Sequence, residues 1–199
     1  MRLAIADPPY PPRFTERHDR PDGKPRLVVR SRAQRWYSDN GVRGAGDRPA
    51  DHHADASEWD DPARHRALLE QLMDEFDGWA IATPMDGVEH YRPLPIPCRV
   101  MVWYRRNAQR GDYCIANVTE AVIVYPPVAR RAKGLAGPTG QVVDLLDEPA
   151  PIGGFAGMKP ARWTRWVLDA MSHQPDDEVV DLFPGSGSVG AAISQGVLL

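Results

Sequence analysis

Leu3-Ala4-Ile5-Ala6-Asp7-Pro8-Pro9-Tyr10 opens the chain as a short apolar run that ends abruptly in a stiff polar loop. Such a run, bounded by prolines, reads as a buried strand. Two consecutive prolines fix φ and remove two backbone donors, so the loop is rigid and its carbonyls are left to accept hydrogen bonds. Asp7 adds a carboxylate beside those carbonyls, and Tyr10 supplies a flat aromatic face. Convergent acceptors next to a ring suit a planar, amino-bearing partner such as adenine or cytosine, held by its edge and face. Ligands of open α/β sheets sit beyond the carboxyl ends of strands, so the position of the loop right after a buried-looking strand favours a functional reading of it. The plainer reading is loop punctuation, or a polyproline segment over Pro8 to Pro12 for a partner domain.

The rest of the chain alternates strand and helix signals. Asp61-Pro62 predicts a helix start, since proline suits the first helical position. Leu68, Leu69, Leu72, Met73 and Phe76 follow at helical spacing, and Gly78 is expected to stop the helix. Strands are expected over Trp79 to Thr83, Cys98 to Tyr104, Glu120 to Tyr125 and Glu178 to Phe183, with a short one at Val142-Val143. Helices are expected over Pro160 to Met171 and from Ser188 onward, while His65 and His173 read as surface residues. This order implies an α/β fold with a mostly parallel sheet.

Composition sets the outer limits. A chain of 199 residues, 42% hydrophobic, is long enough for one domain with a core, read here as residues 1–199. The net charge of −3 conceals a split: Arg13 to Arg48 holds ten Lys/Arg against five Asp/Glu, while Asp51 to Glu89 holds eleven Asp/Glu against Arg64 and Arg66. Residues 13–56 therefore read as a long, basic, partly mobile excursion suited to a polyanionic partner or simply to solvent. Within it, Trp36-Tyr37, flanked by Arg32 and Arg35, could stack on nucleic acid or pack on the body. Cys98 and Cys114 lie sixteen apart and make neither a metal spacing nor a disulfide framework. Asp51, His52, His53 and Asp55 are too close in sequence to surround one ion readily, so no metal is expected. Without a leader or a run of 18 apolar residues, the reading is a soluble cytoplasmic protein with no membrane partner.

A second informative stretch is Asp181-Leu182-Phe183-Pro184-Gly185-Ser186-Gly187-Ser188. A strand feeds a glycine-rich turn that opens a helix, an arrangement that binds nucleotide-like cofactors. Gly185 and Gly187 allow positive φ and close backbone approach. Gly185 to Gly190 also satisfies G-x-G-x-x-G, which keeps a nicotinamide-dependent oxidoreductase open as an alternative.

Taken together, the two elements resemble the amino-methylating DNA methyltransferases, which act on adenine N6 or cytosine N4. The closer resemblance is to the permuted group in which the Asp-Pro-Pro-Tyr half precedes the cofactor half. Val102-Trp103-Tyr104-Arg105-Arg106-Asn107 is similar to that group's strand ending in Trp-x-Lys-x-Asn, with Arg105 in place of the lysine. Glu120-Ala121-Val122-Ile123-Val124-Tyr125 is similar to its Glu-plus-apolar strand. Gly157-Met158-Lys159-Pro160 and the turn from Asp181 to Gly187 resemble its Lys-Pro and Asp-x-Phe-x-Gly-x-Gly motifs, in the same order.

The resemblance implies a circularly permuted, Rossmann-like fold, with S-adenosylmethionine as cofactor and a flipped adenine in DNA as substrate. Asp7 and the Pro8 carbonyl would accept hydrogen bonds from the two amine N–H groups, Pro9 would stiffen the loop, and Tyr10 would stack on the base. Lys159 and Pro160 would shape the cofactor pocket, and Asp181 would lie near the cofactor's amino group. Phe183 would pack on its adenine or methionine part, with Gly185, Ser186 and Gly187 lining the methionine end. Asp as the first residue of the acceptor loop favours adenine over cytosine in that family. The family's sheet continues beyond the glycine turn, whereas this sequence stops at Leu199, so a truncated cofactor half is expected. A second copy or a partner subunit could complete it. Pro126 to Ile152 is the candidate target-recognition loop. The rival within this family is an inactive relative that binds DNA or regulates a partner.

Overall fold

A computed structural model describes residues 1–17, 26–32, 55–108, 115–131, 141–152 and 157–194. Its centre is a six-stranded mixed sheet. The strands are β1 (Arg2–Ala6), β4 (Gly78–Pro84), β5 (Arg99–Tyr104), β6 (Thr119–Tyr125), β7 (Leu145–Asp147) and β8 (Glu178–Asp181). They lie in the order β7-β5-β6-β4-β1-β8. β1 is parallel to both β4 and β8, and β5 is parallel to β7. β6 runs antiparallel to β4 and to β5, so it alone opposes the common direction. The expected predominance of parallel strands is met, with one reversed strand in the middle.

The sheet is covered on both faces, and the split follows the two-residue period of each strand. Leu3 and Ile5 of β1 join Ala80, Ala82, Val122, Val124, Met101 and Trp103 on one face. That face is covered by the helices α2 (Ala161–Ala170) and α3 (Ser188–Ser194), through Trp163, Val167, Leu168 and Val189. Ala4 and Ala6 join Trp79, Ile81, Ala121 and Ile123 on the other face, under α1 (Pro62–Glu75) and the 3-10 turn Met85–Tyr91.

The start of α1 is as expected: Pro62 is in the first turn, and the Asp61 carboxylate accepts from the Ala63 amide at 2.9 Å. Its end has a different cause from the expected one. Phe76 is already extended, and Gly78 is the first residue of β4. A Cβ at Gly78 would lie 2.6 Å from Pro127 Cδ, so the glycine answers to packing and not to helix capping. His65, expected at the surface, is fully buried. It shares the stripe of Leu68, Leu69 and Leu72 on α1. Its Nε2–H donates to the Trp59 carbonyl at 2.9 Å, leaving Nδ1 to accept from the Tyr91 hydroxyl at 2.8 Å. Burial lowers its pKa to about 4 and keeps the ring neutral. His173, by contrast, is half-buried.

The excursion after the acceptor loop begins as a two-stranded antiparallel ribbon, β2 (Arg13–Arg17) with β3 (Arg26–Arg30), where irregular chain was expected. Arg32 closes it: its guanidinium meets Asp86 at 2.8 Å and donates to the Pro11 carbonyl at 3.2 Å. Trp36 and Tyr37 lie outside the described residues. The expected strand at Val142-Val143 falls instead on Leu145–Asp147 as the edge strand β7. That part of the candidate recognition loop is fastened to the sheet. Trp103 Nε1 donates to the Glu148 carbonyl, Trp166 Nε1 to the Val143 carbonyl, and the Asn107 amide pairs both ways with the Ala150 backbone, all at 2.8 Å. Residues 132–140 of the loop and residues 195–199 lie outside the described residues. Among those described, no helix is long and apolar enough to cross a membrane.

Before β8, the fully buried Asp177 carboxylate receives both terminal nitrogens of Arg130 and the Gln174 amide. Burial opposes its ionisation, but these donors outweigh burial and hold its pKa well below the usual carboxylate value. A depressed carboxylate contributes stability above the unfolded pKa of about 4 and loses it as pH falls through the folded value. Asp177→Asn is expected to cost about 3 kcal/mol at pH 7. Its deficit relative to wild type should narrow below pH 4, as urea melts across pH would measure. Gly78→Ala is expected to cost about 1–3 kcal/mol by overpacking against Pro127, read from the same melts.

Candidate active site

The carboxyl ends of β1 and β8 meet the amino end of β6 on one rim, and strand alternation decides what projects there. Asp7 continues the phase of Leu3 and Ile5, Glu120 that of Val122 and Val124, and Asp181 that of Val179. All three carboxylates therefore extend the face covered by α2. β1 and β8 pair with Ile5 opposite Asp181, and β6 places Glu120 opposite both Pro84 and Trp103.

Lys159, just before α2, enters this rim from above. Its Nζ lies 2.8 Å from Asp7 Oδ2 and 3.3 Å from Glu120 Oε2. It also donates to the Tyr10 hydroxyl at 3.1 Å and to the Gly157 carbonyl at 3.2 Å. Tyr10 in turn donates to Glu120 Oε2 at 2.8 Å. Arg105 holds the other oxygen of Glu120, Oε1, at 3.0 Å. The ammonium lies between the rings of Tyr10, Trp103 and Trp163, each 5.6–5.7 Å from Nζ, which adds cation–π attraction. Lys159 and Glu120 are almost wholly buried, so each charge needs the other.

Ionisation follows from this packing. Burial disfavours the charged forms of both Lys159 and Glu120, but opposite charges outweigh it. Asp7 and Glu120 raise the Lys159 pKa well above the usual lysine value, and Lys159 and Arg105 hold Glu120 below the usual carboxylate value. Asp7 goes the other way: burial raises it, Lys159 opposes, and the charges of Glu120 and Asp181 push it further up. Tyr10 is raised well above its usual value by burial and by the charges of Asp7 and Glu120, so its hydroxyl stays a donor.

Two carboxylate oxygens on this rim are buried without a hydrogen-bond partner: Asp7 Oδ1 and Asp181 Oδ2. The other oxygen of Asp181 accepts from the Phe183 amide at 3.3 Å. Seven other buried polar atoms lack a partner among the described residues, Arg105 Nε and Trp163 Nε1 near this rim among them; what sets these two apart is that both are carboxylate oxygens at the ends of adjacent parallel strands, where ligands of such sheets bind. Beyond Asp181, Pro184 to Gly187 forms a tight turn closed by the Gly187 amide on the Pro184 carbonyl. Gly185 and Gly187 take φ of 39° and 70°, the region that favours glycine. Among the described residues, a Cβ at Gly187 would meet nothing within 4 Å.

The sequence-derived residues thus fall into two neighbouring groups. Asp7, Pro8, Pro9 and Tyr10 follow β1, and Asp181, Gly185, Ser186 and Gly187 lie at and beyond the end of the adjacent parallel strand β8. Phe183 turns away toward the α1 face, edge-on to Trp59 with centroids 5.1 Å apart. Lys159, expected on the cofactor side, grips the acceptor loop, while the adjoining Pro160 caps α2. Glu120 and Arg105 entered the sequence reading only through motif likeness. The signal for Glu120 is a carboxylate in phase with the inward valines of β6. Asp51, His52 and His53 lie outside the described residues, and no cluster able to hold a metal ion occurs among those described.

Tyr10→Phe removes the hydroxyl that Glu120 and Lys159 share, and is expected to cost about 1–3 kcal/mol in urea unfolding. A Tyr10→Phe protein as stable as wild type would show that the hydroxyl contributes nothing to this network.

No protein-family model matches the chain and no similar curated protein is found, so the chemistry of the rim rests on its own residues.

Proposed function

We propose that this chain is an S-adenosylmethionine-dependent methyltransferase acting on an exocyclic amine of DNA, with adenine N6 favoured. The observation that carries the reading is the pair of partnerless buried oxygens, Asp7 Oδ1 and Asp181 Oδ2, one just beyond β1 and one at the end of β8. Each suits an N–H donor: Asp7 Oδ1 the amine of the base, Asp181 Oδ2 the amino group of the cofactor. Charge agrees with this assignment. Asp7, Glu120 and Asp181 oppose only Lys159 and Arg105 among the rim side chains described above, so the excess is negative and favours a cationic cofactor.

When bound, S-adenosylmethionine supplies an electrophilic methyl group. The chain's residues deal with the acceptor, whose lone pair is delocalised into its ring. Asp7 Oδ1 and the Pro8 carbonyl would accept hydrogen bonds from the two N–H groups of the amine, favouring a pyramidal nitrogen with its lone pair exposed; once the methyl has transferred, the methylated nitrogen would release one proton to Asp7 or to solvent. As that nitrogen gains positive charge, the Asp7 carboxylate stabilises it, so the contribution is positioning and electrostatics. Tyr10, its hydroxyl tied to Glu120 and Lys159, would offer its ring to a base swung out of the duplex. The basic stretch from Arg13 to Arg48 supplies charge for a phosphate backbone. A second copy or a partner subunit remains part of this proposal.

A second reading has one observation in its favour. Asp7 Oδ2 and the Tyr10 hydroxyl are already engaged within the protein, as befits an inactive relative that binds DNA. Calorimetry separates the two readings: S-adenosylmethionine binding supports the enzyme, and its absence supports the inactive relative.

Labelled S-adenosylmethionine with mixed-sequence DNA is expected to give incorporation that Asp7→Ala abolishes. Incorporation that survives Asp7→Ala in full would sink the mechanism. Asp181→Asn is expected to weaken cofactor binding about tenfold, near 1.4 kcal/mol. Since burial raises the Asp7 pKa, activity should be complete above that value and fall as pH drops through it. The acid limb should therefore stand above the ordinary aspartate value of about 4.

A further inference from the structure

Lys159, expected on the cofactor side, makes its polar contacts with the acceptor loop and its neighbours. An ammonium has three protons, and here they serve Asp7 Oδ2, Glu120 Oε2, the Tyr10 hydroxyl and the Gly157 carbonyl, within 2.8–3.3 Å. Two of those four acceptors belong to the Asp-Pro-Pro-Tyr loop. A third, Glu120, is itself bonded to Tyr10. The side chain is 2% exposed, so the contact is not the incidental pairing of two surface charges.

We infer that Lys159 is the positioning residue of the acceptor loop: by gripping Asp7 through Oδ2 and the Tyr10 hydroxyl together, it presents Oδ1 to the amine and fixes the stacking ring. This rests on the amino-methylation reading of the rim. The anchor for the grip is the helix that follows it. The first turn of α2 starts directly after Pro160, and Trp163 in that turn packs in the core under the sheet face, so Lys159 sits at the start of a rigid element. The groups facing the Asp7 carboxylate are Lys159, Tyr10 and Glu120, with Arg105 behind Glu120. Asp181 adds its charge from β8, and Tyr91 lies close enough to feel that of Asp7.

The test follows the Asp7 carboxyl by carbon-13 NMR titration in the full chain, assigned with Asp7→Asn, and needs no turnover. Lys159→Met should move the Asp7 midpoint up and Lys159→Arg should return it toward wild type. Glu120→Gln should move it down by removing a like charge. Should Lys159→Met fail to fold, the Glu120→Gln shift and the Lys159→Arg midpoint still decide. Calorimetry with S-adenosylmethionine should give the same affinity for Lys159→Met as for wild type, within about twofold, while kcat falls about a hundredfold. An Asp7 midpoint unmoved by Lys159→Met or by Glu120→Gln overturns the inference. So does a tenfold loss of cofactor affinity in Lys159→Met without a shift at Asp7. Failure of the wild type to methylate DNA is a different result: it removes the amino-methylation reading, whatever the titrations give.

Discussion

A single buried ammonium held between one buried carboxylate, Glu120, and one half-buried carboxylate, Asp7, joins distant parts of this chain. Lys159 touches Asp7 and Tyr10 near the start of the chain, and Glu120 in the middle strand. Charges this deeply buried are costly unless paired and hydrogen-bonded. The fold must therefore bring β1, β6 and the approach to α2 to one point, or leave an uncompensated charge behind. Arg105 completes the balance on Glu120. The acceptor loop, with its two prolines, is rigid by itself, but its orientation is set by this network.

The scaffold delivers those groups by the simplest property of a strand, the alternation of its side chains. Leu3, Ile5 and then Asp7 share a phase, as do Val124, Val122 and then Glu120. The same positions that bury aliphatic groups under α2 become, one step beyond, the positions that present carboxylates. Function is thus placed at the ends of core stripes, where the packing beneath holds it still. Asp7 Oδ1 and Asp181 Oδ2 break the general rule that buried polar atoms are satisfied. Such local violations are expected where a ligand completes the set.

Much of the frame was legible in the residues. The strand at β1, the helix opened by Asp61-Pro62, and the strands at β4, β5, β6 and β8 fall within a residue or two of their expected bounds. Apolar periodicity and proline punctuation are local signals, and those elements obey them. The misses share a different cause. Gly78 looked like a helix stop but makes room for Pro127, and His65 looked exposed but lies inside, between Trp59 and Tyr91. Val142-Val143 has the stronger strand composition, yet Leu145–Asp147 pairs with β5 because the bonds of Trp166 and Trp103 on either side fix the register there.

The site divides in the same way. Asp7 to Tyr10 and Asp181 to Gly187 are each written contiguously, because prolines and glycines set backbone shape without help from distant residues. The sequence alone determined that a rigid acceptor loop and a glycine turn both end strands. That those strands lie side by side, and that Phe183 faces Trp59, follows from packing between residues far apart in the chain. The same packing turned Lys159 toward Asp7, Tyr10 and Glu120. The reason is physical: backbone shape is a local property, whereas the partner of a buried charge is whichever opposite charge the folded core places within reach.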